Sequence, residues 1–308
     1  MLFKFIIKVS IVVTTAILFF LGLIFVIPVF KEGRIVSPDY FNTKIEDANI
    51  IICGDSRADR QIDPAIIKSK TNFNVVNIAA SGQDLYTWSK GLKAGGVKNK
   101  TIVISASFFQ INDGANEFPF FNLATFADMN IFQKLKMYRS SPFELILMQT
   151  KHAFHIIFQK KQDYIFGNLD RRLNIDYFKK DCTKFDINEE WFNKHNWYKS
   201  PVTNGVKLDF IKKALRNISN LENCKVLIYN GPVSDSYTKF AGNNLLLERE
   251  YDKIMASLCN EYKITYKTFL DDSTIRDDRL YYDPQHLCSL GAFEFSNKMA
   301  EILISIQK

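Results

Sequence analysis

Five apolar runs of strand length, each followed or separated by a helix-like stretch, constrain this chain more than any other feature. They read ANIIICG (48–54), FNVVNIAA (73–80), TIVISAS (101–107), KVLIYNG (225–231) and, more weakly, ITYKTFL (264–270). They are rich in Ile, Val and Tyr and carry few charges, the pattern of parallel strands covered on both faces. Helical stretches lie between them. DPAIIKSK (63–70) has Pro64 near its start, DLYTWSKGLKAGG (84–96) ends on Gly95 and Gly96, and residues 244–263 and 291–307 repeat apolar residues at three-to-four spacing. Strand–helix alternation predicts an α/β fold wound on both faces of one sheet. The length, 308 residues, suffices for one sizeable domain, and 47% hydrophobic against 24% charged residues excludes wholesale disorder.

The amino terminus is different. VSIVVTTAILFFLGLIFVIPVF (9–30) holds no charge. As a helix it would run about 33 Å, enough for a hydrocarbon core of about 30 Å. Its length and the absence of a small-x-small site in VIPVFKEG (26–33) favour an uncleaved anchor over a signal peptide. Basic residues flank both sides, Lys4 and Lys8 before, Lys31 and Arg34 after. The short basic start favours the amino terminus inside and the domain outside the cell membrane. The expected division is an anchor over 1–34, whose end passes into a polar linker at 31–46, and a folded domain over 35–308.

Residues 115–205 break the strand–helix rhythm. They are crowded with Phe, Tyr, Lys and Asn and contain helical pieces such as FNLATFADMNIFQKLKMY (121–138). They read as an insertion between the third and fourth strands, either a cap over the site or a helical layer on the sheet. Trp191, Phe192 and Trp197 within it have the chemistry to stack on sugar rings, and equally that of core residues.

Charge excludes little. Forty basic against 33 acidic residues leave +7, without an Arg-rich stripe or a DNA-binding motif, so no nucleic-acid partner is expected. Five cysteines, Cys53, Cys182, Cys224, Cys259 and Cys288, form no C-x-x-C pair. That argues against structural zinc, and sequence assigns no disulfide among them. No metal or cofactor is called for.

Two segments carry candidate chemistry. In IICGDSRADR (51–60), Ser56 follows the first strand directly, where open α/β sheets place reactive groups. Gly-Asp-Ser is also ordinary turn chemistry, with serine a favoured helix cap. Arg57, Asp59 and Arg60 beside it either line the pocket or pair with each other as opposite charges on an exposed helix face, the second reading being favoured slightly. In YYDPQHLCSLGAFEFS (281–296), Asp283 stands three residues before His286, just ahead of the last helix. Serine hydrolysis needs an imidazole to take the hydroxyl proton and a carboxylate to orient that imidazole. Only four histidines occur in the chain. The plain alternative is a surface histidine beside a capping aspartate.

Gly54-Asp55-Ser56 after strand one, NIAASGQDLY (77–86) after strand two and Asp283-x-x-His286 before the final helix together resemble the SGNH/GDSL hydrolases. The resemblance covers roughly 47–113 and 225–305. It implies a flavodoxin-like three-layer α/β/α sandwich with a five-stranded parallel sheet, here preceded by one transmembrane helix. It also implies a Ser56–His286–Asp283 catalytic triad acting through an acyl-enzyme. The oxyanion hole would use the backbone N–H groups of Ser56 and Gly82 and the side chain of Asn112. The chain departs from the family at the third block. ISASFFQINDG (104–114) carries Gln110 where glycine is usual, and Asn112-Asp113 arrives several residues late. Asn112 is therefore a turn residue on one reading and an oxyanion donor on the other, with Ser107 or a backbone N–H as substitutes.

A single amino-terminal helix also resembles membrane-tethered members that serve O-acetylation of polysaccharides or D-alanylation of teichoic acids. That resemblance implies an acylated carbohydrate or lipid ester substrate and a membrane-bound acyltransferase partner. The expected function is a serine esterase or O-acyltransferase on a cell-surface polymer. The alternative is a non-catalytic partner protein that keeps the fold.

Overall fold

The computed structural model describes residues 45–112, 128–137 and 203–307, with scattered positions between 10 and 22, at 125, between 143 and 150, and at 181–182. The apolar segment at 9–30, most of the insertion at 115–205 and the aromatic trio Trp191, Phe192 and Trp197 lie wholly or largely outside the described residues. Among the described residues no helix is long and apolar enough to cross a membrane.

The chain runs β1 (Ile50–Cys53), α1 (Ser56–Gln61), α2 (Pro64–Thr71), β2 (Val75–Asn77), α3 (Leu85–Ala94), β3 (Thr101–Ser105), α4 (Ile131–Met137), α5 (Val206–Ser219), β4 (Lys225–Asn230), α6 (Asp235–Phe240), α7 (Asn243–Glu261), β5 (Thr265–Thr268), β6 (Tyr281–Asp283), β7 (His286–Leu287) and α8 (Ser289–Gln307). The five predicted strands form one parallel sheet in the order β2-β1-β3-β4-β5. β6 and β7 pair separately as a short antiparallel hairpin, which the sequence reading treats as a plain turn.

Alternation along each strand divides the core in two. Ile51 and Cys53 of β1, with Ile102 and Ile104 of β3, face one cluster. Ile50 and Ile52, with Val103 and Tyr229, face the other. The first cluster is closed by α3, α5 and α7. α5 places Val206, Phe210, Ile211, Ala214, Leu215 and Ile218 on one stripe, the spacing of a helix lying on a sheet. The second is closed by α1, α2 and α8, through Ala58, Ile67, Phe295, Met299 and Leu303. Both faces of the sheet are therefore dry, which is why its central strands tolerate uninterrupted Ile and Val. β5 is the exposed edge and reads TYKT, which explains its weak signal.

Because the order reverses around β1, the loops after β1 and β3 diverge and leave a crevice at the carboxyl edge of the sheet. The hairpin and the start of α8 close over that same edge.

Candidate active site

Gly54 ends β1 at φ +128°, a backbone conformation that side chains rarely adopt. A Cβ there would meet the Ser105 backbone N and O at 2.7 Å. Glycine lets the chain turn against β3, and Asp55 then caps α1, its carboxylate accepting from the Arg57 N–H at 3.0 Å. Asp55 is fully buried. It also accepts from Ser105 Oγ (2.7 Å), Ser107 Oγ (2.6 Å) and Gln110 Nε2 (3.1 Å). Four donors around one carboxylate offset the cost of burying it. With Asp55 serving as the cap, Ser56 becomes the first residue of α1 and its hydroxyl is released from capping.

That hydroxyl meets His286. Nε2 of His286 lies 2.8 Å from Ser56 Oγ, and Nδ1 lies 2.7 Å and 2.9 Å from the two oxygens of Asp283. The hairpin sets this geometry. Asp283 Oδ1 accepts from the Gln285 N–H at 3.0 Å and the His286 N–H at 2.9 Å, an Asx-type turn that holds the carboxylate against the ring. Burial alone would push the Asp283 carboxyl up. The hydrogen bond and charge of His286 and the two backbone N–H groups outweigh it and hold the carboxyl below its ordinary value. Tyr282 stacks on the imidazole, centroids 5.7 Å apart and rings 12° from parallel. Arg60 reaches the Tyr282 hydroxyl and sits over its ring.

The remaining candidates are placed as follows. Gly82 lies in the Ala80–Gln83 turn at φ +75°, with open space where a Cβ would be. Asn112 is fully buried, and its carbonyl accepts from Lys207 Nζ at 2.7 Å. Ser107 is engaged by Asp55. Gln110, in the position where the resemblance expects glycine, spans two elements, donating to Asp55 and accepting from the Leu85 N–H at 3.0 Å.

The expectation of an exposed charged face on α1 is corrected. Arg57 and Asp59 are each 2% exposed. Arg57 donates to Asn230 Oδ1 at 2.6 Å and pairs with Glu248 of α7 at 3.6 Å, and Asp59 accepts from Ser81 Oγ at 3.1 Å. The helical spacing of charges reads the same on a wedged helix as on a free one. Only packing between the sheet edge, β7 and α8 distinguishes them.

Sequence reasoning also missed Gln61 and Asn77, which lock the helix that carries Ser56. Gln61 Nε2 donates to the Gln285 carbonyl at 3.0 Å, and Asn77 Nδ2 donates to the carbonyls of Ala58 and Ile62 at 2.9 and 3.0 Å. Asn77, a polar residue inside the apolar run FNVVNIAA, carries a signal of such a position, whereas Gln61 in the polar stretch SRADRQID carries none. A disulfide joins Cys182 to Cys288, two residues beyond His286. Cys53, Cys224 and Cys259 are free, and burial pushes the Cys259 thiol up to about 12. Among the described residues no group of three His, Cys, Asp or Glu side chains converges as a metal site would require.

The arrangement is a hydroxyl, an imidazole and a carboxylate in hydrogen-bonded series at a helix start, on a parallel α/β sheet. A scan against protein-family models and a search among curated proteins both find no match for the chain.

Proposed function

We propose that the chain is a membrane-anchored, extracytoplasmic serine esterase or O-acyltransferase of the SGNH type, acting on acyl esters of a cell-surface carbohydrate polymer. The Ser56–His286–Asp283 series carries the reading. The strand order 2-1-3-4-5 supports a flavodoxin-like sandwich beneath it. In the proposed reaction Ser56 Oγ attacks the ester carbonyl carbon while Nε2 of His286 takes its proton. The carbonyl electrons move onto oxygen, which the N–H groups of Ser56 and Gly82 stabilise, with Asn112 the third candidate donor. One such donor is worth about 2.7–4 kcal/mol in the transition state. Collapse expels the alkoxide, which leaves with the proton from His286. Water or a sugar hydroxyl then attacks the acyl-enzyme by the same steps in reverse, giving esterase or transferase. Asp283 holds the imidazole and stabilises its charged form.

The apolar segment 9–30 supports anchoring, and the Cys182–Cys288 disulfide suits an oxidising compartment. Ser56 lies at the carboxyl edge of the sheet, and the chain enters the domain at the opposite edge, before β1. That favours a substrate beyond the bilayer over an ester within it. A membrane-bound acyltransferase partner belongs to the transferase form of the reading. The second reading, a non-catalytic partner protein, is favoured by the complete burial of Asn112.

Labelling of the full-length protein with a fluorophosphonate tests the proposal. Wild type is expected to label, and Ser56→Ala and His286→Ala to lose labelling. A folded wild type that does not label would overturn the enzyme in favour of the partner protein.

A further inference from the structure

The edge of the sheet opposite Ser56 holds an open polar cleft of about 270 Å³, lined by Asn49, Asn99, Asn223, Thr101, Lys100 and Lys225 among others. Among the described residues the two ammonium groups are held by backbone carbonyls. Lys100 Nζ donates to the Glu46 carbonyl at 2.7 Å, and Lys225 Nζ to those of Ile306 and Gln307 at 2.8 Å. An ammonium has three donors, so two remain on Lys100 and one on Lys225. Their positive charge is fixed in direction, no carboxylate among the described residues bonds either ammonium, and amide side chains beside them supply further N–H donors.

The surroundings are basic. Lys68 and Lys70 near the end of α2, Lys93 at the end of α3, and Lys98 and Lys263 before β3 and β5 are all exposed at this edge. Among the described residues, Glu46, Asp47, Glu222 and Glu261 are acidic groups at this edge. The chain also enters the domain here. Ile45 to Asn49 lead into β1, and residues 31–44 alone separate Ile45 from the end of the apolar segment at 30. A tether of that length keeps this edge at high local concentration against the bilayer.

We propose that the cleft receives the phosphate of an anionic phospholipid headgroup. This seats the amino edge of the sheet on the membrane and directs Ser56 away from it. The proposal rests on the membrane-anchored part of the functional reading and not on its chemistry. Exposed lysines near an anionic leaflet add a general attraction, and the cleft adds a defined seat within it.

The test uses the full-length protein in nanodiscs of phosphatidylcholine, with or without phosphatidylglycerol, and reads amine acetylation by mass spectrometry. Lys239 and Lys253, exposed on other elements, serve as references. Labelling of Lys100 and Lys225 is expected to fall about fivefold in the anionic discs, the change that one lysine–surface contact supports. Equal labelling in both discs overturns the proposal while leaving the anchor intact. Equal protection of Lys98 and Lys263 reduces the effect to unspecific attraction and overturns the cleft. Protection by inorganic phosphate in neutral discs assigns the cleft to a soluble anion and overturns the lipid. A chain that does not stay with the discs removes the anchor, and this proposal with it. None of these outcomes depends on whether Ser56 labels.

Discussion

Two adjacent residues divide the labour at the start of α1. Asp55 takes the cap and three further hydrogen bonds, and Ser56 keeps its hydroxyl for His286. A serine cap would have spent that hydroxyl on the helix's own N–H groups. Asp283 has a comparable double role, orienting His286 while closing the turn that carries it. Its folded carboxyl titrates below its unfolded value of about 3.9. The unfolded chain therefore binds more protons in the window between the two values. The stability this group supplies is complete above about pH 4 and is lost as pH falls through the folded value. Under the proposed function, Asp283→Asn should lower kcat by about 10⁴-fold. Its denaturant midpoint should lie below that of wild type at neutral pH, and the gap should narrow below about pH 4. A gap constant with pH would show that the carboxylate is not held as described.

At the scale of elements, the site is a meeting of pieces from different parts of the chain. α1 is pinned to β3 through Ser105, to β4 through Asn230, to β2 through Asn77 and to the hairpin through Gln61. α8 backs this assembly. Its Phe295 packs edge-on against Phe269 at 4.9 Å between centroids and tilted against Tyr229 at 5.9 Å. Asp63, the cap of α2, donates its N–H to Ser296 of α8 at 2.8 Å, joining the two helices on that face. Phe295→Ala should cost about 3–5 kcal/mol in chemical denaturation, because the three rings leave little room to close over the cavity. A loss under about 1 kcal/mol would mean that α8 repacks freely.

Across the whole molecule, the disulfide ties the insertion to the segment that carries His286. Cys182 and Cys288 are 106 residues apart, and Cys288 is buried while Cys182 is exposed. A cross-link over so long a loop restricts the unfolded chain strongly. Cys182→Ser should therefore lower the unfolding free energy by about 2–4 kcal/mol, read from denaturant midpoints under oxidising conditions. Wild type treated with reductant should fall to the same midpoint. A midpoint indifferent to both changes would show that the bond does not constrain the unfolded state. The sheet also sets a polarity for the molecule, with the serine at one edge and the lysine-bordered cleft at the other.

Local pattern determined the parts that depend on local physics. Apolar runs such as Ile50–Cys53 and Thr101–Ser105 announce buried strands because water is excluded from both of their faces. The same logic located α2, α3, α7 and α8, and the family-like blocks pointed to Ser56, Asp283 and His286. Tertiary structure decided what depends on distance in space. Nothing in the spacing of Arg57, Asp59 and Arg60 says that the first two are enclosed, because burial of a charge is settled by Asn230, Glu248 and Ser81, far along the chain. The partner of Cys288 was equally invisible, since any pair of five thiols is consistent with the sequence. Which residue would cap α1, and so whose hydroxyl would be left for His286, was decided by Ser105, Ser107 and Gln110 closing on Asp55 from β3 and the turn after it. A carboxylate needs several donors before it can be buried, and only the folded chain assembles them.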